Sequence, residues 1–398
     1  MAAPLTEFED ARSLVLERAR PLTGETVALA DALDRVLAER ICAADDVPAF
    51  DNSAMDGYAV RASDSGEGVR LTVVDESRAG APATAAVGSG EACAISTGAA
   101  MPAGADAVVP VEETRRRGGE VELLAAAAPG RFVRHAGDDL RAGEPVLEPG
   151  TGLGPAELGV VASAGRGTVA VGARPRVGIL TTGDELIGPE DRLRHGSVRN
   201  ASALMIPALV RRAGGEVLSL AHARDDPASI AAAIAAALAG EAVVVTGGMS
   251  VGEHDHVGDA LEEVGVERHF AGVALKPGKP FWFGTRGPTL VFGLPGNPVS
   301  SLVTFLLLVA PALRALAGQP PARERTVATL DQDWQRTPGR VEAVRCRLAL
   351  RPDGWHVAPT GAQDSHILTS LLGAQALALI GAGSGVLRAG EQVPIELL

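Results

Sequence analysis

From residue 174 onward the sequence keeps one rhythm that leaves few folds open. Short apolar runs alternate with helix-length segments: RVGIL, a helix over 202–213, GEVLSLA, a helix over 227–238 and EAVVVTGG. A helix over 255–264, the strand segments ERHFAGVAL and KPFWFG, the strand PTLVFGLPG and a helix over 299–316 follow. A strand apolar on consecutive residues is buried on both faces, and helical crossovers between such strands give a parallel sheet covered on both sides. The spacing therefore predicts a three-layer α/β domain over 175–320.

The flanks read differently. Residues 6–20 have helical spacing with Thr6 as the cap, and a second short helix is expected around 30–40. Between 46 and 147, β-like runs such as VRLTVV, EACAIST, ADAVVPVEE and GEVELL alternate with Gly, Pro and Ala turns. GPAELGVVASAG reads as a helix. After the linker Gln319-Pro320-Pro321, the runs VEAVRCRLAL, GWHVAPT, QALALI and EQVPIELL suit a small β-barrel or sandwich. At 398 residues the chain exceeds one ordinary core. The expected division is a helix-containing segment over 1–48 and 138–174, a β-rich insert over 49–137, the α/β domain, and a C-terminal β-barrel over 321–398.

A formal charge of −13 excludes a nucleic-acid binder, which needs a basic face, but leaves room for a local pocket for small anions. Cys42, Cys93 and Cys346 form no CxxC pair, so neither a disulfide framework nor a zinc site is expected. The N-terminus carries early acids and no apolar core of a signal peptide. The most apolar run, 302–313, is too short to span a bilayer and holds Pro311. A cytoplasmic protein acting on small molecules, with neither nucleic acid nor membrane as partner, is the expectation. Lysine occurs only at 276 and 279, tyrosine only at 58, and asparagine only at 52, 200 and 297. All six lie in Gly- or Pro-punctuated segments and point to sites.

Ligands of doubly wound sheets sit beyond the carboxyl ends of the strands. TTGDEL at 181–186 follows the first strand; Thr182 and Gly183 can hold a phosphate, and Asp184 and Glu185 can ligate Mg2+ or act as a base. The same string is equally a capped helix start. TGGMSVGEHDHV at 246–257 follows the third, with Gly247, Gly248 and Ser250 in a phosphate-cradling turn and Glu253 and Asp255 behind it. His254 and His256 lack a third ligand and read as solvent-side or substrate-edge residues. GLPGNPVSS at 293–301 sets Pro295, Gly296, Asn297 and Pro298 at a helix N-terminus, a favourable anion site. KPGKP puts Lys276 and Lys279 on a stiff loop suited to an oxyanion such as molybdate or a pyrophosphate. FDNSAMDGYAV at 50–60 concentrates Asp51, Asn52, Ser53, Asp56 and Tyr58, which suits a metal or polar ligand; an array of Asx turns would account for about half of them. Thr97 beside Gly98, and Arg134 with Asp138 and Asp139, add weaker signals.

Taken together these strings resemble the molybdopterin molybdenumtransferase family, whose eukaryotic members include the E domain of gephyrin. DNSAMDGYAVR, TGAAMPAGADAVV, TTGDEL, TGGMSVGEHD, KPGKPFWFG and GLPGNPVSS occur in the family's order across residues 50–301. The resemblance implies an α/β domain similar to molybdopterin adenylyltransferases and a homodimer whose active site joins that domain to the partner's insert. It carries functional roles onto Asp56, Thr97, Glu185, Asp225, Asp255, Lys276, Pro295 and Pro298, with Lys279 added from its place in KPGKP. Ser53, Thr182, Gly183, Gly247, Gly248, Ser250, Gly296 and Asn297 complete the expected contacts. SVRNAS keeps Asn200 where members more often place an Asp-Ser pair just before it, and Gln375 stands where an Asn is common.

The implied reaction inserts molybdate into adenylyl-molybdopterin, with Mg2+ held by some of Asp56, Glu185 and Asp255, and AMP released. Contact with a molybdopterin adenylyltransferase would follow from sharing its product. An adenylyltransferase acting one step earlier, a scaffold and a catalytically silent member are the rivals, and ATP-dependent adenylylation would mark the first of them.

Overall fold

In the computed structural model, which describes residues 4–249, 257–321 and 326–398, the alternating segment builds a six-stranded sheet. Its strands are β1 (Arg176–Thr182), β2 (Glu216–Ala223), β3 (Ala242–Thr246), β4 (Glu267–Ala271), β6 (Trp282–Arg286) and β7 (Thr289–Leu294), while the two-residue β5 (Leu275–Lys276) lies outside it. The order is β2-β1-β3-β7-β6-β4. β1 runs parallel to β2 and β3, and β3 parallel to β7. The wholly parallel sheet expected above is corrected at one edge, because β6 pairs antiparallel with β7, and β4 with β6. Only Gly287 and Pro288 separate Arg286 from its partner Thr289, and so short a connection can only return antiparallel.

Alternate residues of the central strands serve two cores. Val177, Ile179, Val244 and Phe292 belong to one cluster, with α1 (Phe8–Leu16) and α2 (Ser202–Arg212) packed on it. Leu180, Val243, Val245 and Val291 belong to the other, covered by α3 (Pro227–Ala237) and α4 (Val257–Glu263). This period-two split across a doubly buried sheet is why the strands read as unbroken apolar runs. The helix from Pro298 to Leu316, long and apolar enough to cross a membrane, is 78% buried and closes the first core. It comprises α5 (Pro298–Thr304), a π-helical turn (Phe305–Val309) and α6 (Ala310–Leu316). Pro311 lacks an N–H and its ring presses on the preceding turn, and the widened π turn just before it accommodates both.

The C-terminal segment forms the expected barrel from β8 (Thr326–Leu330), β9 (Val341–Arg351), β10 (Gly354–Pro359), β11 (Ala376–Ile380) and β12 (Gln392–Leu397). β9 pairs with β10, β10 with β8, β8 with β12, β12 with β11 and β11 with β9, closing the ring. Cys346, Val357, Ala378 and Ile395 fill it. β5 adds in parallel to the start of β9, so the KPGKP loop is tied to the barrel as well as to the sheet.

The chain divides into two compact units: Thr26–Leu33 with Glu39–Ala170, and the remainder. The first contains a six-stranded sheet including Gly57–Val60, Arg70–Ser77 and Glu91–Ile95, as the β-rich reading of the insert anticipated, and the helix Pro155–Ser163. Two local expectations fail. Residues 30–40 hold only the single 3-10 turn Leu29–Asp31, because Leu37 bridges Val171, Gly172 N–H donates to Val36 O, and Arg35 bonds Gly172 O at 2.7 Å. Those tertiary pairings outweigh helix propensity. Thr6 is extended and exchanges backbone bonds with Gly272 and Ala274 instead of capping α1.

Gly178 lets α3 lie directly on β1: a Cβ there would stand 2.6 Å from the Cβ and O of Ala237. Gly178→Ala is expected to lower the unfolding free energy by about 1–3 kcal/mol, through overpacking. Urea unfolding would show a lower midpoint at unchanged slope, and a wild-type midpoint would mean that this contact yields freely.

Candidate functional site

The chain passes from β1 to its neighbour β2, then crosses back over β1 to reach β3 on the other side. Strand order reverses at that point, and the crevice it leaves lies at the carboxyl ends of β1 and β3. A cleft of about 590 Å³ opens there. Thr182, Gly183 and Glu185 line it from the end of β1, Asp225 from β2, Gly247 and Gly248 from β3, and Pro295, Gly296, Asn297 and Pro298 from β7. These ten expected contacts are brought together. Ser250, Asp255, His254 and His256 lie outside the described residues.

The local chemistry of each loop explains the cleft. Gly247 takes φ +97°, and a Cβ on it would come within 2.5 Å of Thr182 O, so only glycine lets the two strand ends meet. Thr246 Oγ1 contacts Pro295 O and Ser301 Oγ, both at 3.2 Å, which fixes the turn into α5. Asn297, at the N-cap of α5, makes no capping bond and instead donates to Ser365 Oγ at 3.2 Å. The opening turn of α5 thus has no side-chain cap, the condition that favours an anion. Asn200 anchors a second helix start: its Oδ1 accepts from Ala203 N–H at 3.0 Å while its Nδ2 donates to Thr181 Oγ1 at 3.0 Å. Thr182 Oγ1 is buried in the cleft wall and has no hydrogen-bond partner among the described residues.

Asp226 is the cap of α3, accepting from Ser229 N–H at 2.8 Å. That leaves Asp225 for the cleft, where it accepts from Asp184 N–H at 3.2 Å and returns a bond from its own N–H to Asp184 Oδ1 at 3.3 Å. Among the described residues no group of three His, Cys, Asp or Glu side chains could hold a metal ion. Glu185 and Asp225 are the carboxylates among the described residues that line the cleft.

Neither lysine lines the cleft; Pro280 of the same loop does. The expectation that both lysines present free charge is therefore corrected for Lys276. Its Nζ donates to Glu342 Oε1 at 2.7 Å and to Thr337 Oγ1 at 3.1 Å, because β5 delivers it to the barrel. Lys279 is exposed and has no side-chain partner among the described residues. Lys276 borders a smaller pocket of about 120 Å³, also lined by Trp334, Glu342 and Arg345. Burial opposes ionisation of Glu342, yet hydrogen bonds from Lys276, Thr337 and Trp334 outweigh it and hold the carboxyl below its ordinary range. Arg345 is fully buried; its Nε and Nη2 donate to Ser370 Oγ at 3.2 and 3.0 Å. Burial lowers its pKa, but a guanidinium stays charged.

In the other unit Asp56 Oδ1 accepts from both the N–H and the hydroxyl of Thr97, at 2.7 and 3.1 Å, which joins two residues that were expected separately. Ser53 is fully buried and its hydroxyl is spent within its own turn, donating to Met55 O at 2.6 Å. Burial pushes the Cys93 and Cys346 thiols up to about 11 and about 12, which makes both inert.

Sequence reasoning missed Arg199, which lines the cleft, and Arg345. Arg345 had a signal: in VEAVRCRLAL it stands within the apolar half of an alternating strand. Arg199 had none beyond its place before Asn200.

Three family models tile the chain: "MoeA N-terminal region (domain I and II)" over residues 6–165, "Probable molybdopterin binding domain" over 178–315 and "MoeA C-terminal region (domain IV)" over 327–398. The molybdopterin molybdenumtransferase of Haemophilus influenzae is 36% identical over 397 residues, covering 98% of each chain. That of Synechococcus elongatus is 36% identical, covering 95% of each. The crystal structure of the molybdopterin biosynthesis moeA protein from Pyrococcus horikoshii OT3 superposes with a TM-score of 0.82 at 32% identity, covering 99% of this chain and 100% of that one.

Because the carboxyl pKa of Glu342 is depressed on folding, its contribution to stability is present above the unfolded carboxyl value and lost as pH falls through the folded one. Glu342→Gln removes that component. The stability gap between wild type and variant is expected to narrow as pH is lowered from about 7 to about 3, read from urea midpoints. A gap constant across that range would show that the ion pair contributes nothing.

Proposed function

We propose, because this chain belongs to the molybdopterin molybdenumtransferase family, that it transfers molybdenum from molybdate to molybdopterin presented as its adenylyl phosphoanhydride, with release of AMP. The observation that carries this reading is the cleft at the strand-order reversal, lined by the Gly247-Gly248 turn and by the starts of two helices, at Asn200–Ser202 and at Asn297–Pro298.

The chemistry asks for two anions to be held together. The phosphoanhydride suits the large cleft, with amide N–H groups of the Gly247-Gly248 turn and the start of α5 as donors. Molybdate suits the smaller pocket, where Arg345 supplies a fixed cation and Lys276 a second one shared with Glu342. Mg2+ fits the cleft: it needs only one or two carboxylates beside substrate oxygens and water, and Glu185 and Asp225 provide them. When bound, it would neutralise charge on the phosphoanhydride oxygens. Thr182, Asp225 and the glycine turns orient that group. Positioning and prearranged dipoles then supply most of the rate.

The same reading takes the working enzyme to be a cytoplasmic homodimer, with Asp56 and Thr97 of a second copy's insert completing the site. It keeps the four-segment division, which the numbering of domains in the matched family models supports. Contact with a molybdopterin adenylyltransferase would pass the activated substrate on directly.

Purified protein mixed with adenylylated molybdopterin, Mg2+ and molybdate is expected to release AMP only when molybdate is present, matched by bound molybdenum. Tight binding with neither product would leave a carrier and overturn the reading. Lys276→Ala is expected to abolish insertion while remaining folded, since Thr337 and Trp334 still bond Glu342. Full activity in that folded variant would remove Lys276 from the site.

Thr182→Val replaces a buried unpartnered hydroxyl with a methyl of the same shape. It is expected to stabilise the free protein by about 1 kcal/mol while weakening substrate binding severalfold. Unchanged affinity in a more stable protein would show that the hydroxyl meets no ligand.

A further inference from the structure

Among the described residues that line the large cleft, one side chain is cationic, Arg199, set against the carboxylates of Glu185 and Asp225. Lys276, the cation the sequence favoured, is committed to Glu342. Arg199 sits on a two-residue strand, Val198–Arg199, paired in parallel with Leu186–Ile187 just beyond Glu185. Val198 N–H donates to Glu185 O at 2.8 Å and Asn200 N–H to Ile187 O at 2.9 Å, so the backbone beneath the arginine is held from both ends.

The guanidinium is tethered too. Its Nε donates to Pro189 O at 2.8 Å, while Nη1 and Nη2 have no partner among the described residues, and no carboxylate there pairs with it. Several arginines elsewhere in this acidic chain do pair with acids: Arg176 with Glu241, Arg131 with Glu113 and Arg388 with Asp333. Arg192 and Arg194, on the loop that leads to Arg199, likewise have no acid partner among the described residues, although Glu190 and Asp191 share that loop. An anchored guanidinium with both Nη groups free matches the paired oxygens of a phosphate and loses little entropy on binding.

We propose that Arg199 is the phosphate-binding cation of this cleft, donating through Nη1 and Nη2 to oxygens of the phosphoanhydride of adenylylated molybdopterin. The proposal deepens the function above and rests on it for the identity of the substrate. The binding step needs only a phosphorylated ligand.

The test is equilibrium binding of adenylylated molybdopterin to wild type, Arg199→Gln and Arg199→Lys, with inorganic pyrophosphate and adenosine as competitors. Arg199→Gln is expected to raise Kd roughly ten- to hundredfold, and Arg199→Lys to recover only part of the loss, because an ammonium lacks the fork. Pyrophosphate should compete against wild type and lose its hold on the Gln variant, while adenosine competes equally with both. The thermal midpoint should stay unchanged, since the side chain is exposed. Equal Kd values for wild type and Arg199→Gln would overturn the assignment. Wild type that shows the Arg199-dependent pyrophosphate competition but no molybdate-dependent AMP release would overturn the function instead and leave Arg199 standing.

Discussion

β1 is flanked on both sides by parallel strands that the chain reaches in opposite directions, and every feature of the cleft depends on that reversal. Parallel strands deliver all their carboxyl ends to one edge. Right-handed crossovers carry the helices away from the reversal point on opposite faces, so nothing fills the gap between the loops after β1 and β3. The two cores then hold the edges of the gap rigid. Val177 and Ile179 are locked into one, Leu180 into the other, and Gly178 lets α3 press on the strand between them. A loop anchored by so deeply buried a strand can place Thr182 and Glu185 without help from its own short sequence.

The electrostatic problem is harder than the steric one, because an acidic protein has to hold anions. It is met by local devices and not by net charge. Amide dipoles at the starts of α2 and α5 add partial positive charge without adding a titratable group. Arg345 is a buried cation held by hydroxyl and carbonyl oxygens, with the Asp364 carboxylate nearby but no ion pair to it among the described residues. Lys276 is the contrary case, neutralised by a buried carboxylate and available only at the rim of its pocket. The scarcity of lysine singled out the KPGKP loop, but the partner of Lys276 is 66 residues away in the barrel, where no spacing rule could find it.

That contrast marks how far the sequence was legible. Period-two apolar runs and Gly- or Pro-rich strand ends located β1, β3 and β7 and the loops after them, since burial and turn chemistry are both written in adjacent residues. Ten of the expected contacts meet in one cleft for that reason. Expectations failed wherever a distant backbone decided the outcome. Residues 30–40 have helical spacing, but Leu37 and Val36 pair with Val171 and Gly172. Thr6 has the chemistry of a cap and is taken by Gly272 and Ala274. Pairing across the antiparallel edge was readable after all, because Gly287-Pro288 leaves no room for a crossover helix.

The unpartnered hydroxyl of Thr182 is where stability and function part company. A buried oxygen without a partner costs on the order of 1–3 kcal/mol, and a valine of the same shape would avoid that cost. Thr181, its neighbour on the strand, shows the ordinary arrangement, with its hydroxyl bonded to Asn200 and His222. Side chains alternate along β1, so these two hydroxyls face opposite sides of the sheet, and of the two only that of Thr182 lacks a partner among the described residues. Thr182 thus carries a cost in the free protein that Thr181 does not, in the wall of the cleft beside the uncapped start of α5.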